Sequence, residues 1–231
     1  MKANWQAAKV IGIRAETPTA KTFRLALPAP AHFTSGQHYI LRLTAPDGYT
    51  ASRSYSVASA PDGSNEFELT VERLEDGEVS MFLHDVVEVG DELEVRGPIG
   101  GWFVWDGDTP AVLVGGGSGV VPLMAMLRLA RRHGRSDLVR LVVSVRSPEM
   151  LYYRDELPGE ETRIVYTRAA SPGDARPPGR LTRDDLEPLA GRDATAYVSG
   201  SSGFADTASD LLVAVGVPLD RIRVERFGPT G

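Results

Sequence analysis

The sequence predicts a two-domain protein, with an N-terminal antiparallel β-barrel and a C-terminal α/β domain built on a parallel sheet. Up to about residue 106, short runs alternate apolar and polar residues between turn signals, which is typical of antiparallel strands. From about residue 109, continuous apolar runs alternate with helical patterns, which is typical of a parallel sheet covered by helices. The 231 residues are enough for two cores. We therefore predict domains at 1–106 and 107–231.

The N-terminal domain is predicted from its period-two runs. Each run places its apolar side chains on one face of a strand. The runs are KTFRLAL (21–27), EFELTV (66–71) and DELEVRG (91–97). By contrast, VSMFLHDVV (79–87) clusters its apolar residues as a helix or a helical turn does.

The C-terminal domain is predicted from its alternating strands and helices. The predicted strands are PAVLVGG (110–116), RLVVSV (140–145), TRIVYT (162–167), AYVSG (196–200) and RIRVERF (221–227). Helices are predicted at 120–134 and 205–216. The segment 147–157 is interpreted as a polar stretch, and the segment 171–180, which is rich in Pro and Gly, as an exposed loop.

The composition excludes several classes of function. A net charge of −6, with no stretch that concentrates Lys and Arg, argues against nucleic-acid binding. The absence of Cys excludes disulfides, catalytic thiols and Cys-ligated iron–sulfur clusters within this chain. The four His residues lack the spacing of metal ligands, so no metal site is predicted. Without a membrane-length apolar run or a signal-peptide core, the expected location is the cytoplasm.

The stretch GGGSG (115–119) lies between a predicted buried strand and a predicted helix. Backbone N–H groups converge on an anion at such a turn, and glycine lets a phosphate approach closely. The pattern is neither GxGxxG nor a Walker A loop. A phosphate site for a dinucleotide and a purely structural turn are both consistent with these residues, and the position at the start of the α/β half favours the phosphate site.

Serines on the turn YVSGSSGF (197–204) raise the question of a serine hydrolase. The turn contains GSSG and not the G-x-S-x-G elbow, and none of the four His residues follows it in the chain. The nucleophile–acid–histidine order of the α/β-hydrolases therefore cannot be met. A hydrolase is set aside.

Six segments together resemble the ferredoxin–NADP reductase superfamily, in the order in which that family carries them. They are RSYSVAS (53–59), GEVSMFLHD (77–85), GPIGGWF (97–103), VGGGSGVVPLMAML (114–127), YVSGSSGFAD (197–206) and VERFG (224–228). They are similar to the family's RxYS, GxxS, GPxGxF, GGGTGxxP, YxCGPxxF and E-x-F patterns. The resemblance covers residues 36–228 and implies a flavin domain followed by a nicotinamide domain.

The resemblance implies a flavin site in the first domain. Its residues would be Arg53, Ser54, Tyr55, Ser56, Gly77, Val79, Ser80 and Phe227. The Arg53 fork suits a pyrophosphate, the Tyr55 ring an isoalloxazine and the Ser56 hydroxyl flavin N5. Amides around Val79 and Ser80 would receive the flavin phosphates at a helix start. The full first domain favours FAD over FMN by resemblance.

The resemblance also implies hydride transfer from NAD(P)H to the flavin. Ser56 and Glu225 would assist proton movement at N5, and Phe227 would cover the flavin face. Ser199 stands where the family places a cysteine beside the nicotinamide. The dinucleotide would lie on Gly116, Gly117, Ser118, Gly119 and Gly200.

The choice between NADPH and NADH depends on the ribose end of the nucleotide, where arginines suit a 2′-phosphate. Arg146 and Arg168 follow predicted strands, and Arg180 lies in the next loop. This arrangement is similar to that of NADPH-specific members of the family. We therefore predict NADPH, with solvated surface charges as the alternative interpretation.

The electron acceptor must lie outside this chain, because a cysteine-rich ferredoxin domain is impossible without Cys. The leading interpretation is a reductase that feeds a separate redox protein, such as a ferredoxin, a flavodoxin or the metal centre of an oxygenase or molybdenum enzyme. One alternative is a flavin or ferric reductase with a diffusible acceptor. Another is a flavin-carrying electron-transfer subunit of a larger complex. The sequence leaves the oligomeric state open.

Overall fold

The computed structural model describes residues 4–171, 173–189 and 193–228. The strands of the first half are β1 (Trp5–Thr17), β2 (Ala20–Ala26), β3 (His38–Thr44), β4 (Thr50–Ser56), β5 (Glu66–Glu72) and β6 (Glu92–Ile99), with helix α1 (Glu78–Asp85) between β5 and β6. The second half contains β7 (Ala111–Gly116), α2 (Val120–Arg132), β8 (Val139–Val145), β9 (Thr162–Tyr166), α3 (Arg183–Leu186), β10 (Thr195–Ser201), α4 (Ser202–Ala214) and β11 (Ile222–Phe227).

The first six strands form one antiparallel sheet in the order β4-β3-β6-β1-β2-β5. Its two edges meet just after β4, where Val57 bridges to Leu69 and the Ala58 amide donates to the Glu68 carbonyl at 2.8 Å. The sheet is thereby closed into a barrel around an apolar core, which confirms the predicted architecture. Helix α1 packs beside β4 and β5, so its first turn lies next to the strand that carries Arg53.

The remaining strands form a parallel sheet in the order β11-β10-β7-β8-β9, as predicted. Strands β8 and β9 follow β7 on one side of the sheet, and β10 and β11 follow it on the other side. The strand order therefore reverses between β7 and β10, and ligands of open α/β sheets bind at the carboxyl ends of the strands at such a point. Helices α2 and α4 belong to two separate apolar clusters of the sheet.

Helix α4 begins three residues earlier than predicted, at Ser202. The reason is a side-chain cap: Ser201 Oγ accepts a hydrogen bond from the Phe204 amide at 3.4 Å. One serine of the YVSGSSGF turn therefore has a structural role.

The segment 147–157 is not simply polar, because Leu151, Tyr152, Tyr153 and Leu157 are buried. These side chains pack in the core that α2 shares with the parallel sheet. The LYYxxxL pattern was the available signal, and the charged residues between its members concealed it. The described part of the loop 171–180 is mostly exposed, as expected; residue 172 lies outside the described residues.

Tyr153 joins the two sheets. Its hydroxyl donates to Thr70 Oγ1 at 2.6 Å, and its amide donates to Glu16 Oε2 at 3.2 Å. Thr70 and Thr22 share a hydrogen bond of 2.7 Å, and Thr22 donates to Glu16 Oε1 at 2.6 Å. The ring of bonds is closed and largely buried, so it holds the segment after β8 against the barrel.

Arg128 of α2 makes a second connection between the sheets. Its guanidinium donates to the Ala58 carbonyl and to Glu68 Oε2 of the barrel, at 2.9 and 2.8 Å. It also pairs with Glu156 at 2.6 Å. The two domains therefore present their facing surfaces in a defined orientation. Among the described helices, none is long and apolar enough to cross a membrane.

Candidate functional site

The turns that follow β7 and β10 pack against each other at the point where the strand order reverses. A Cβ atom on Gly116 would lie 2.6 Å from the Phe204 ring, and one on Gly119 would collide with the Ser199 carbonyl. Gly117 has a φ of +55°, which favours glycine. A Cβ atom on Gly200 would lie 2.7 Å from the same Phe204 ring. Close packing therefore requires glycine at positions 116, 119 and 200, and the positive φ favours it at 117. Ser118 contributes the half-buried side chain of the turn.

Ser199 and Glu225 are paired residues on the neighbouring strands β10 and β11. Ser199 is fully buried, and its Oγ makes no hydrogen bond with any described residue. Glu225 Oε2 is also buried and has no hydrogen-bond partner among the described residues. Burial raises the pKa of Glu225 to about 7, so this carboxyl can hold or release a proton near neutrality.

The two arginines beside Glu225 in sequence do not neutralise it. Arg226 pairs with Asp206 at 2.7 Å. Arg223 lies between the rings of Trp102 and Tyr197, 5.4 Å from each centroid, and donates to main-chain carbonyls. Glu225 is therefore no ordinary surface carboxylate in an ion pair.

Strand β4 carries the RSYS residues in two environments. Arg53 and Ser54 are exposed, and the Arg53 guanidinium donates to the neighbouring Ser52 carbonyl at 2.7 Å. Tyr55 packs against the barrel core, and burial raises its pKa to about 12. Ser56 is 3% exposed, and its Oγ has no hydrogen-bond partner among the described residues.

The first turn of α1 is shaped by Gly77 and Ser80. The Ser80 hydroxyl accepts from the Leu74 amide at 3.1 Å and donates to the Gly77 carbonyl at 3.0 Å. This hydroxyl is therefore already engaged, and Val79 is fully buried. What the turn offers an anion are the backbone amides of residues 78–80, which have no carbonyl partner within the helix.

The segment 99–104 connects this part of the barrel with β10 and β11. On the barrel side, His38 pairs with Ser56 and also with Ile99. On the other side, the Val104 carbonyl accepts from the Tyr197 hydroxyl at 2.8 Å. The strand ends that carry Ser56, Ser199 and Glu225 thus border the same seam between the domains. Phe227 lies at the end of β11, paired with Ser201.

Arg146 and Arg168 lie just beyond the carboxyl ends of β8 and β9, and Arg180 follows Gly179, whose amide donates to the Tyr166 carbonyl at 2.9 Å. The Arg168 amide donates to the Arg146 carbonyl at 2.9 Å. All three side chains are exposed and form no salt bridge within the described ranges. Arg163 and Arg176 of the same region instead bind Asp185 at 2.9 and 2.8 Å. The three arginines are therefore available to an anionic ligand.

Tyr152 was missed by the sequence analysis. Its side chain is 1% exposed, and its hydroxyl finds no hydrogen-bond partner in the described chain, although Glu72 and Ser118 lie close enough to act on its pKa. No group of three or more His, Asp or Glu side chains suited to a metal ion occurs among the described residues.

Comparison with known proteins identifies both halves of the chain. Residues 7–104 match the family model of the oxidoreductase FAD-binding domain, and residues 113–210 match that of the oxidoreductase NAD-binding domain. The chain is 32% identical over 238 residues to ferredoxin–NADP reductase B of Sorangium cellulosum, and this match covers 95% of the chain and 96% of the relative.

Longer proteins match as well. The chain is 30% identical to the reductase component of propane 2-monooxygenase from Rhodococcus jostii; the match covers 95% of the chain and 62% of that relative. It covers only 51% of a flavohemoprotein of Pseudomonas putida. Among solved structures, the FAD/NAD-binding domain of nitric oxide dioxygenase from Vibrio cholerae superimposes with a TM-score of 0.81 at 25% identity, covering 97% of this chain and 99% of that one.

The fold and these matches define the class of the chain: an oxidoreductase FAD-binding domain is followed by an oxidoreductase NAD-binding domain. The chain belongs to the ferredoxin–NADP reductase superfamily. Its resemblance to that family, first indicated by six short motifs, is confirmed.

Proposed function

We propose that this protein takes a hydride from NADPH onto bound FAD and passes electrons to a separate redox protein. The observation that carries the proposal is a set of buried polar atoms at the seam that have no hydrogen-bond partner among the described residues: Ser56 Oγ, Ser199 Oγ and Glu225 Oε2. Buried polar groups are normally hydrogen-bonded, and leaving one unpaired costs about 1–3 kcal/mol. Their grouping at the domain boundary is that of a site built for ligands.

The barrel side fits a flavin. Arg53 has an exposed planar fork that suits a pyrophosphate, and the amides of the first turn of α1 suit phosphate oxygens. Tyr55 offers a ring fixed against the barrel core, and Phe227 a second aromatic ring at the end of β11. The flavin, when bound, supplies the chemistry of accepting a hydride and releasing electrons one at a time.

The α/β side fits a pyridine nucleotide. The glycine turn after β7 presents backbone amides at the reversal point, and Gly200 keeps the facing turn close. The exposed arginines beyond β8 and β9 favour a 2′-phosphate, and hence NADPH. Glu225 holds a proton at its buried carboxyl and Ser56 offers a hydroxyl, so both can exchange a proton with a group bound between them.

A protein acceptor is favoured by the relatives, several of which are reductase components of oxygenase systems. Examples are those of propane 2-monooxygenase and glycine betaine monooxygenase. The chain itself lacks the Cys residues needed to ligate an iron–sulfur cluster. An acceptor with a Cys-ligated cluster would therefore lie outside these 231 residues.

The test is purification, identification of the released cofactor and anaerobic titration with NADPH and NADH. We expect stoichiometric FAD, rapid bleaching of the flavin by NADPH and slower bleaching by NADH. Transfer to a [2Fe–2S] ferredoxin then tests the acceptor class, with ferricyanide as the small-molecule control. A protein that takes up neither FAD nor FMN refutes the proposal.

A further inference from the structure

One buried polar group near the proposed nucleotide site has no part in the reaction outlined above: the hydroxyl of Tyr152. The residue lies between β8 and β9, is 1% exposed, and makes no side-chain hydrogen bond within the described ranges. Its neighbour Tyr153 is equally buried, but its hydroxyl donates to Thr70 Oγ1 at 2.6 Å. Because a buried hydroxyl is costly when unpaired, the contrast indicates a partner for Tyr152 other than the described residues.

The surroundings of this hydroxyl place it at the boundary of the two domains. Glu72, half-buried at the end of β5, and Ser118, in the glycine turn after β7, are near enough to influence the pKa of this hydroxyl as hydrogen-bonding groups, but neither makes a hydrogen bond of normal geometry with it. Burial raises the pKa of Tyr152, so the hydroxyl stays protonated and available as a donor. The Tyr152 hydroxyl thus lies close to the end of a barrel strand and to the glycine turn.

The three side chains select the chemistry of the missing partner. A phosphate oxygen would accept from Tyr152 and Ser118, but the Glu72 carboxylate would repel its charge. A sugar hydroxyl can accept a hydrogen bond from Tyr152 and donate one to Glu72. A neutral hydroxyl-bearing group therefore satisfies the whole set.

We propose that Tyr152 and Glu72 bind the ribose of the nicotinamide half of the pyridine nucleotide, with Tyr152 donating and Glu72 accepting. This proposal rests on the proposed function. The nicotinamide half is indicated because Ser118 lies at the reversal point of the strand order, on the turn that contacts Ser199 through Gly119. The arginines proposed for the 2′-phosphate lie two strands further along the sheet, beyond β8 and β9.

The ribose of the nicotinamide half is the same in NADPH and NADH. Losing its hydrogen bond therefore weakens both nucleotides equally, unlike the loss of an arginine that binds the 2′-phosphate. It also leaves 2′,5′-ADP unaffected, because that ligand lacks the nicotinamide half. These two features distinguish a ribose contact from a phosphate contact and from a general loss of structure.

The experiment measures dissociation constants of the flavin-loaded protein for NADP⁺, NAD⁺ and 2′,5′-ADP. For Tyr152→Phe, loss of one hydrogen bond predicts an increase of about 5- to 10-fold for NADP⁺ and NAD⁺ alike and no change for 2′,5′-ADP. Glu72→Ala should act in the same direction on the same two ligands. The melting temperature of Tyr152→Phe should stay at or above that of the wild type, since no bond within the protein is lost.

Tyr153→Phe is the matched control, because it removes an adjacent hydroxyl that is bonded within the protein. It should lower the melting temperature and leave 2′,5′-ADP binding unchanged. Wild-type affinity of Tyr152→Phe for NADP⁺, or an equal weakening of 2′,5′-ADP, would overturn the ribose contact. A wild-type protein that binds neither NADP⁺ nor NAD⁺ would instead refute the proposed function, and the ribose contact with it.

Discussion

Ser199 and Glu225 lie side by side on two neighbouring parallel strands, each with a buried oxygen that has no hydrogen-bond partner among the described residues. The pair occupies the carboxyl end of the sheet, next to the reversal of the strand order. Two unpaired oxygens in adjacent positions are unfavourable for folding, so their presence there is consistent with a ligand that completes them. This site and its surroundings lead to four testable predictions.

The first prediction concerns the pH dependence of stability caused by Glu225. Its ordinary pKa is 4.5 and its pKa in the folded chain is about 7, so between these values the folded state retains a proton that the unfolded state has released. The free energy of unfolding should therefore fall as pH rises through this range, by at most about 3 kcal/mol. Glu225→Gln has no carboxyl to titrate at this position, so the decrease in the free energy of unfolding caused by Glu225 should disappear in this variant.

Urea unfolding of the cofactor-free protein at several pH values from about 5 to 8 measures the effect. The stability of Glu225→Gln relative to the wild type should increase with pH, and Glu75→Gln, at an exposed position, serves as the control. A constant difference across the range would contradict the raised pKa. In the loaded enzyme, Glu225→Gln should also slow turnover, and unchanged flavin reduction and turnover would remove Glu225 from the mechanism.

The second prediction concerns Ser199→Cys. A thiol is larger, more polarisable and less costly to bury unpaired than a hydroxyl. The free energy of unfolding of the variant should therefore be about 1 kcal/mol higher than that of the wild type. Closer contact with the nicotinamide should change the rate of flavin reduction, which we expect to rise about three- to tenfold. Stopped-flow absorbance measures the rate, and flavin content should be unchanged. The control is Ser202→Cys, at an exposed position; an unchanged rate for Ser199→Cys would mean that the position is only packing.

The third prediction concerns nucleotide preference. Arg168→Ala should raise the Michaelis constant for NADPH about 10- to 100-fold, the loss of one charge-assisted bond to the 2′-phosphate, and leave that for NADH nearly unchanged. Steady-state kinetics with both nucleotides measure the ratio. Arg163→Ala is the matched control, because its guanidinium binds Asp185 at 2.9 Å instead of facing a ligand. Equal effects on both nucleotides would exclude Arg168 from the phosphate site.

The fourth prediction concerns the contact between the two turns. In Gly119→Ala the new Cβ would meet the Ser199 backbone, which cannot move aside as a flexible side chain can. Overpacking of this kind costs about 1–3 kcal/mol, so we expect a lower free energy of unfolding and weaker nucleotide binding. Gly203→Ala is the control, since nothing lies within 4 Å of its Cβ and it is in the first turn of α4. If both variants behave alike, close packing of the turns is not what Gly119 provides.

Much of the fold could be predicted from local patterns. Alternation with a period of two identified strands such as β2 and β5, because a strand with one buried face alternates apolar and polar residues. The apolar run before GGGSG identified β7, because a strand buried on both faces is continuously apolar. The segment 147–157 escaped this reasoning. Its buried tyrosines are interrupted by charged residues, of which Glu156 pairs with Arg128 from another element.

The candidate site could be predicted in part. The motifs correctly assigned the strand-to-helix turns after β7 and β10 and the helix after GxxS, because these conformations depend on glycines and caps close in sequence. Tyr152 and Glu72 carried no such signal. They lie 80 positions apart, and only the packing of the two domains brings them together.

The sequence by itself determined the two-domain architecture and the glycine-rich turn between a buried strand and a helix. Only the tertiary structure decided which polar groups are buried with no hydrogen-bond partner in the described part of the chain, Ser56, Tyr152, Ser199 and Glu225 among them. The reason is physical, since a pKa and the satisfaction of a hydrogen bond depend on every group within a few ångströms, and at this seam those groups come from both domains. Ser199 of the YVSGSSGF turn is therefore the neighbour of Glu225, whose carboxyl holds its proton near neutral pH.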